Sequence, residues 1–254
     1  MVEVSFWTFL IICPLCFLGG FVDSIAGGGG LITLPAFLAV GLPSHIAIGT
    51  NKIQSTLGTL VSTIRYFRQG YVDIKIGIAC AVMAIIGSAI GSNLVLIVDD
   101  WTLKIILIIL LPITAFFVLW NKGMSKKRKE YGFAKTIIIA AVVAFVIGTY
   151  DGFYGPGTGT FLILLLTIIG HMTLENANGI SKAANLASNI AAAVVFLING
   201  VPLIVLGLTA GLFNAAGNFF GSKLFIDKGI KVVRPIMIVV LILLFAKVLF
   251  DMFA

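Results

Sequence analysis

The sequence predicts an all-α polytopic membrane protein made of two homologous halves. Five membrane segments per half, with the halves inverted relative to each other, is the expected arrangement; four per half is the alternative. Three observations lead there. Hydrophobic residues make up 60% of the 254-residue chain and charged residues only 11%, whereas a soluble globule needs roughly a quarter of its residues charged. Mean hydropathy is +1.15. Apolar stretches follow one another along the chain, and landmarks of the first half recur in the second.

Six stretches come close to or exceed the roughly 20 apolar residues that span a bilayer. They run over 5–22, 76–98, 103–120, 136–153, 203–222 and 235–253. Four less obvious segments lie at 30–41, 44–64, 158–170 and 176–198. Of these, 30–41 and 158–170 are short and follow glycine-rich breaks, whereas 44–64 and 176–198 carry polar residues at helical spacing. The start, MVEVSFWTFL, lacks a basic region, so no cleaved signal peptide is expected. Cys13-Pro-Leu-Cys16 has redox or metal spacing but stands in an apolar segment with no histidine nearby, so it reads as small apolar packing surface. No cofactor and no metal are expected.

A net charge of +7 and a pI near 9.4 would suit nucleic acid, but the positions argue against it. Thirteen of the 17 Lys and Arg residues fall in three short links: Arg65, Arg68 and Lys75; Lys122, Lys126 to Lys129 (through Arg128) and Lys135; and Lys223, Lys228, Lys231 and Arg234. With all ten segments crossing, these links share one side, while Glu3, Asp99, Asp100, Asp151 and Asp251 share the other. That is the positive-inside pattern of a multi-pass protein of a prokaryotic inner or plasma membrane, with 121–135 a cytoplasmic linker. The expected units are therefore 1–120, the linker 121–135, and 136–254. The bilayer is the expected surroundings; no nucleic-acid partner is expected, and a homo-oligomer stays open.

The repeat is read by self-comparison. Asp23 and Gly27 match Asp151 and Gly155 at an offset of 128. At an offset of 130, Gly49-Thr-Asn-Lys52 matches Gly179-Ile-Ser-Lys182, Gly70 matches Gly200, and Gly87 and Gly91 match Gly217 and Gly221. Five crossings is an odd number, so the second half would insert upside down, as in secondary transporters with inverted repeats.

The polar residues supply the candidate site. Lys52, Ser55, Thr56, Thr59 and Thr63 form one stripe on a helix, and Lys182, Asn185 and Asn189 repeat its start, flanked by Ser181 and Ser188. A lysine inside a membrane costs about 3 kcal/mol on insertion scales, so each should face a partner or a wet cavity. Each glycine break, Gly27 to Gly30 and Gly155 to Gly159 (with Gly157 and Thr158), starts a short helix whose first N–H groups are free to meet an anion. Neither break has a Walker-type tail, so nucleotide binding is not indicated. Asp23 and Asp151 fit three roles: pairing a lysine, for instance Lys52 with Asp23; capping a short helix; or carrying a proton. Asn51, Gln54, Asn178, Asn214 and Asn218 add hydrogen-bonding capacity, which helix packing also explains. His45 and His171 stand beside turn residues and read as loop histidines.

Asp23 to Gly30 followed by Pro35, then Gly49-Thr-Asn-Lys52, with a degenerate second copy, resembles the sulfite exporter TauE/SafE family over nearly the whole chain. The resemblance implies a duplicated multi-spanning transporter, of the type of the 4-toluene sulfonate uptake permeases, that moves sulfur-containing or organic anions such as sulfite and sulfoacetate. The second break departs from plain glycines at Pro156 and Thr158, so the two half-sites should differ chemically. The expected function is a secondary transporter of a small anion, with the breaks giving backbone N–H groups, Lys52 and Lys182 charge, and Asn51, Ser55, Ser181 and Asn185 hydrogen bonds. An anion channel is the alternative. An intramembrane enzyme would need a nucleophile–base pair or metal-ligand cluster, and no such motif stands in the sequence.

Overall fold

In the computed structural model, residues 5–103, 105–106, 109, 131–228 and 235 are described. These residues set the bounds of eight helices: α1 (Phe6–Ala26), α2 (Gly30–Ala39), α3 (Ser44–Arg68), α4 (Ile74–Leu96), α5 (Phe133–Phe153), α6 (Thr158–Ile168), α7 (Leu174–Ile198) and α8 (Ile204–Lys228). The pattern long, short, long, long occurs twice. Residues 101–103 are helical where the expected segment 103–120 begins; most of that segment, most of 121–135 and nearly all of 235–253 lie outside the described residues.

Local chemistry sets several boundaries. The Ser5 hydroxyl accepts from the Thr8 N–H at the start of α1. Asp73 accepts from the N–H groups of Lys75 and Ile76 at 2.9 and 3.1 Å to open α4, and Thr173 opens α7 in the same way. Gly27, at φ 78°, closes α1 in the left-handed conformation. His45 is not a loop residue: it lies in the first turn of α3, and its ring bridges Asp100 (2.7 Å) and the Val95 carbonyl (3.0 Å). His171 does sit between helices, stacked on Tyr131 at 4.1 Å.

Five helices, α1, α4, α5, α7 and α8, are long and apolar enough to cross a membrane. The 25-residue α3 has the length but is the most polar of the long helices. The short helices α2 and α6 are the short segments expected after the glycine breaks. With 10 and 11 residues, α2 and α6 rise only about 15–17 Å, half of a roughly 30 Å hydrocarbon core. The burial pattern is that of a membrane protein. Ile78, Val82, Ile86, Ile90 and Leu94 run exposed down α4, while Asn51, Lys52, Asn178, Lys182 and Asn218 are buried.

Helix directions follow from the contacts. The Thr63 hydroxyl bonds the Lys182 carbonyl and Gly49 faces Phe196, so α3 and its counterpart α7 run antiparallel. Gly217 and Gly221 of α8 meet the Phe17 and Phe21 carbonyls of α1, while Gly87 and Gly91 of α4 meet the Phe145 and Thr149 carbonyls of α5. Both pairs are parallel. A methyl group at Gly91 would lie 2.0 Å from the Thr149 oxygen, so these repeat landmarks exist to let helix backbones touch. Because α4 and α5 run the same way, Leu96 and Phe133 lie at opposite ends of the bundle. Lys75 reaches the Phe133 ring at 5.8 Å, placing the basic α3–α4 link beside the start of α5.

Candidate functional site

The two lysines decide the centre of the molecule. Lys52 is 1% exposed and Lys182 0%, and a buried ammonium needs a charge partner and further hydrogen bonds. Lys52 Nζ lies 2.9 Å from Asp151 Oδ1, and Lys182 Nζ lies 3.0 Å from Asp23 Oδ2. Lys182 also donates to the Asp23 backbone carbonyl.

Each pair joins opposite halves. The suggested pairing of Lys52 with Asp23 is therefore replaced by Lys52 with Asp151, because antiparallel α3 and α7 turn each lysine toward the other half's break. Asp151 does not sit among the outer acidic residues, where the charge partition placed it; it is 2% exposed and paired. Neither aspartate caps a short helix: Gly29 precedes α2 and Gly157 precedes α6, both without a side-chain cap.

The breaks cross between the pairs. The Thr160 N–H donates to the Gly27 carbonyl at 3.2 Å and the Thr160 hydroxyl to the Ala26 carbonyl at 2.8 Å. A Cβ on Gly159 would lie 2.6 Å from Gly27 Cα, and one on Gly30 3.1 Å from Pro156 Cα. The glycines thus serve backbone-to-backbone contact as well as free amides. This revises the anion-cradle expectation for α6, whose Thr158 and Thr160 amides already donate to the Gly155 and Gly27 carbonyls. At α2, the Gly30 N–H donates to no backbone carbonyl among the described residues.

A polar cavity opens at this crossing. Asp23, Gly27, Gly29, Gly30, Asn51, Lys52 and Ser55 line it from the first half, and Asp151, Gly155, Thr158, Gly159 and Asn185 from the second. Four expected residues do not: Gly28, Gly157, Ser181 and Lys182. Ser181 donates to the Asn178 carbonyl of its own helix, and Lys182 stands behind Asp23. Gln54, Thr59, Asn189 and Asn214 line it in addition. Thr59 and Asn189 already lay on the polar stripes. Asn214 enters because Gly58 has no side chain; a Cβ there would fall 1.6 Å from Asn214 Oδ1.

Hydrogen bonds hold the lining in place. Asn51 Oδ1 accepts from the Thr33 hydroxyl (2.6 Å) and Gln54 Nε2 (2.8 Å), and Gln54 Nε2 also reaches Ser55 (2.9 Å). Among the described residues, the buried Gln54 Oε1 atom has no hydrogen-bond partner. Asn189 donates to Asn185, and Asn218 to Asn214. On the measure by which one buried water needs about 10–15 Å³, the cavity is 20 Å³. It is a small polar chamber where the two halves meet, its charges balanced by the two ion pairs.

A family model described as Sulfite exporter TauE/SafE matches residues 12–248, a span that includes both breaks and both lysines. The chain belongs to the sulfite exporter TauE/SafE family. It is similar to "Probable membrane transporter protein ORF9" of a Sinorhizobium species, with 35% identity over 99% of this chain and 96% of the relative. It is 35% identical to "Probable membrane transporter protein YfcA" of Escherichia coli K12 over 92% of this chain and 87% of that protein. A "Probable membrane transporter protein" of Haemophilus influenzae is 32% identical over 92% of both. No solved structure matches the chain significantly. As a TauE/SafE member it is a multi-pass membrane transporter and not an enzyme, and the crossed breaks lie inside the region that defines the family.

Proposed function

We propose that the chain is a secondary transporter of a small oxyanion, sulfite or an organosulfonate, working in the cell membrane with the linker 121–135 in the cytoplasm. The carrying observation is the buried chamber between two cross-half ion pairs. Counterpart helices line it from both sides, and α3 and α7 run antiparallel across it. Inverted halves exchange roles, which gives outward-open and inward-open forms of similar energy around one central site. An oxyanion would draw on the Lys52 ammonium, the Gly30 N–H and the Asn51, Ser55 and Asn185 side chains of the lining, and on Lys182 only once Asp23 releases it.

The test uses the purified full chain. Thermal unfolding is scanned with sulfite, sulfate, thiosulfate and sulfoacetate, and labelled anion is then followed in preloaded proteoliposomes. A stabilising anion that also shows exchange acceleration is the expected result, with loss of flux in Lys52→Ala. Flux unchanged in both Lys52→Ala and Lys182→Ala would remove the proposed site; flux without exchange acceleration would indicate a channel.

A further inference from the structure

The two ion pairs are repeat counterparts, but their carboxylates are held differently. Asp151 Oδ1 accepts from Lys52 (2.9 Å) and from the Thr158 hydroxyl (2.7 Å), and its Oδ2 accepts from the Ser188 hydroxyl (2.7 Å). The first-half counterparts of Thr158 and Ser188, at offsets of 128 and 130, are Gly30 and Gly58. Neither has a side chain to donate. Among the described residues Lys182 is the one side-chain donor to Asp23, and that ammonium is shared with the Asp23 backbone carbonyl. The place where a Gly58 side chain would stand is taken by Asn214, whose Nδ2 donates to the Cys16 carbonyl and whose Oδ1 accepts from Asn218. The Asp23 side chain is also the more open of the two, at 12% exposed against 3%.

With both pairs intact the chamber has no net charge, and an arriving anion finds both ammonium groups occupied. Burying an uncompensated charge there is costly. A proton and a hydrogen-bond donor compete for the same carboxylate lone pairs, and Asp23 has more of them open. The charged and titratable groups around Asp23 are Lys182 on α7, Tyr66 and Arg65 on α3 and, across the chamber, Lys52 with Asp151. The short helices α2 and α6 contribute none, and α8 has Lys223, Asp227 and Lys228 in its last turns.

Resting on the anion-transporter reading, we propose that transport is coupled to protons and that Asp23 carries the proton. A proton from solvent adds to a carboxylate oxygen of Asp23. Lys182 keeps its own proton, and its ammonium exchanges the Asp23 carboxylate for the substrate oxyanion. When the anion leaves, the Asp23 proton leaves on the same side and the ion pair closes again for the return step. Asp151, held by three donors, keeps its pair with Lys52 throughout.

The experiment uses the full chain in proteoliposomes with a pH-sensitive dye inside, the membrane voltage clamped by potassium and valinomycin, and labelled sulfoacetate as the probe. In the wild type, an inward sulfoacetate gradient acidifies the lumen at a fixed proton-to-anion ratio. In Asp23→Asn, any sulfoacetate that still moves brings no proton, so the acidification per anion falls to zero. Asp151→Asn lowers flux, yet each anion moved still brings its proton. Counterflow in the wild type with an unmoved luminal pH overturns the proposal while leaving the transporter reading in place. Acidification by Asp23→Asn at the wild-type ratio overturns it as well. Absence of counterflow for sulfoacetate, sulfite, sulfate and thiosulfate alike overturns the transporter reading and this proposal with it. If Asp23→Asn does not insert, the wild-type proton-to-anion ratio decides alone.

Discussion

Lys52→Met and Lys182→Met remove the same cation from matching positions, yet their costs differ. Both lysines are almost wholly buried, so each substitution leaves a carboxylate inside the protein without its charge partner. Breaking a buried pair by deleting one partner costs about 3–5 kcal/mol. After Lys52→Met, Asp151 still accepts from the hydroxyls of Thr158 and Ser188. After Lys182→Met, Asp23 has no remaining side-chain donor among the described residues. Each hydrogen bond to a charged group is worth about 1.5–3 kcal/mol, so Lys182→Met belongs near the top of the range and Lys52→Met near the bottom. A difference of about 2 kcal/mol separates them, or roughly 4–8 °C in Tm for a chain of this size. Thermal unfolding of the purified variants in detergent, followed by intrinsic fluorescence, reads this directly. Adding Asp151→Asn to Lys52→Met turns the orphaned charge into a neutral amide and should recover most of the loss. Equal Tm losses for the two lysine variants, or no recovery in the double variant, would refute the assignment of donors to the two carboxylates.

Gly159→Ala places a Cβ 2.6 Å from Gly27 Cα and should cost about 1–3 kcal/mol by overpacking, because backbone cannot yield there. Gly132→Ala, with φ −63° and nothing among the described residues within 4 Å of the added carbon, should stay within about 0.5 kcal/mol of the wild type in the same unfolding assay. Thr158→Val keeps the side-chain shape but removes the 2.7 Å bond to Asp151, at a cost of about 1.5–3 kcal/mol; in that background Lys52→Met should move toward Lys182→Met but stay milder, because Ser188 still donates to Asp151. Tyr66→Phe removes the 2.6 Å bond to the Ser24 carbonyl and should lower stability by about 1 kcal/mol, a drop visible as an earlier unfolding midpoint.

The helix content, the doubled pattern and the two buried lysines were legible because each is a local property. Hydropathy marks a span, an offset marks a repeat, and 3.6-residue spacing puts Lys52, Ser55 and Thr59 on one face. Ser181 misled for the opposite reason: one residue away from Lys182, it points around the helix and bonds the Asn178 carbonyl instead of the chamber. Gln54 and Asn214 were legible as polar residues but not as lining. Asn214 comes from α8, and its arrival depends on the missing side chain of Gly58, some 156 residues earlier in the sequence.

By itself the sequence determined that this chain crosses a membrane several times, that it is duplicated, and that each half brings one aspartate, one glycine break and one lysine to the interior. Composition and spacing suffice for that, since hydrocarbon admits little besides helices and makes every buried charge conspicuous. Which aspartate meets which lysine was decided only by the tertiary structure. Two antiparallel counterpart helices and two crossed breaks direct each lysine to the other half. The inequality of the pairs was decided there too, because it depends on which neighbours can donate to each carboxylate: Thr158 and Ser188 reach Asp151, whereas Gly30 and Gly58 have nothing to offer Asp23.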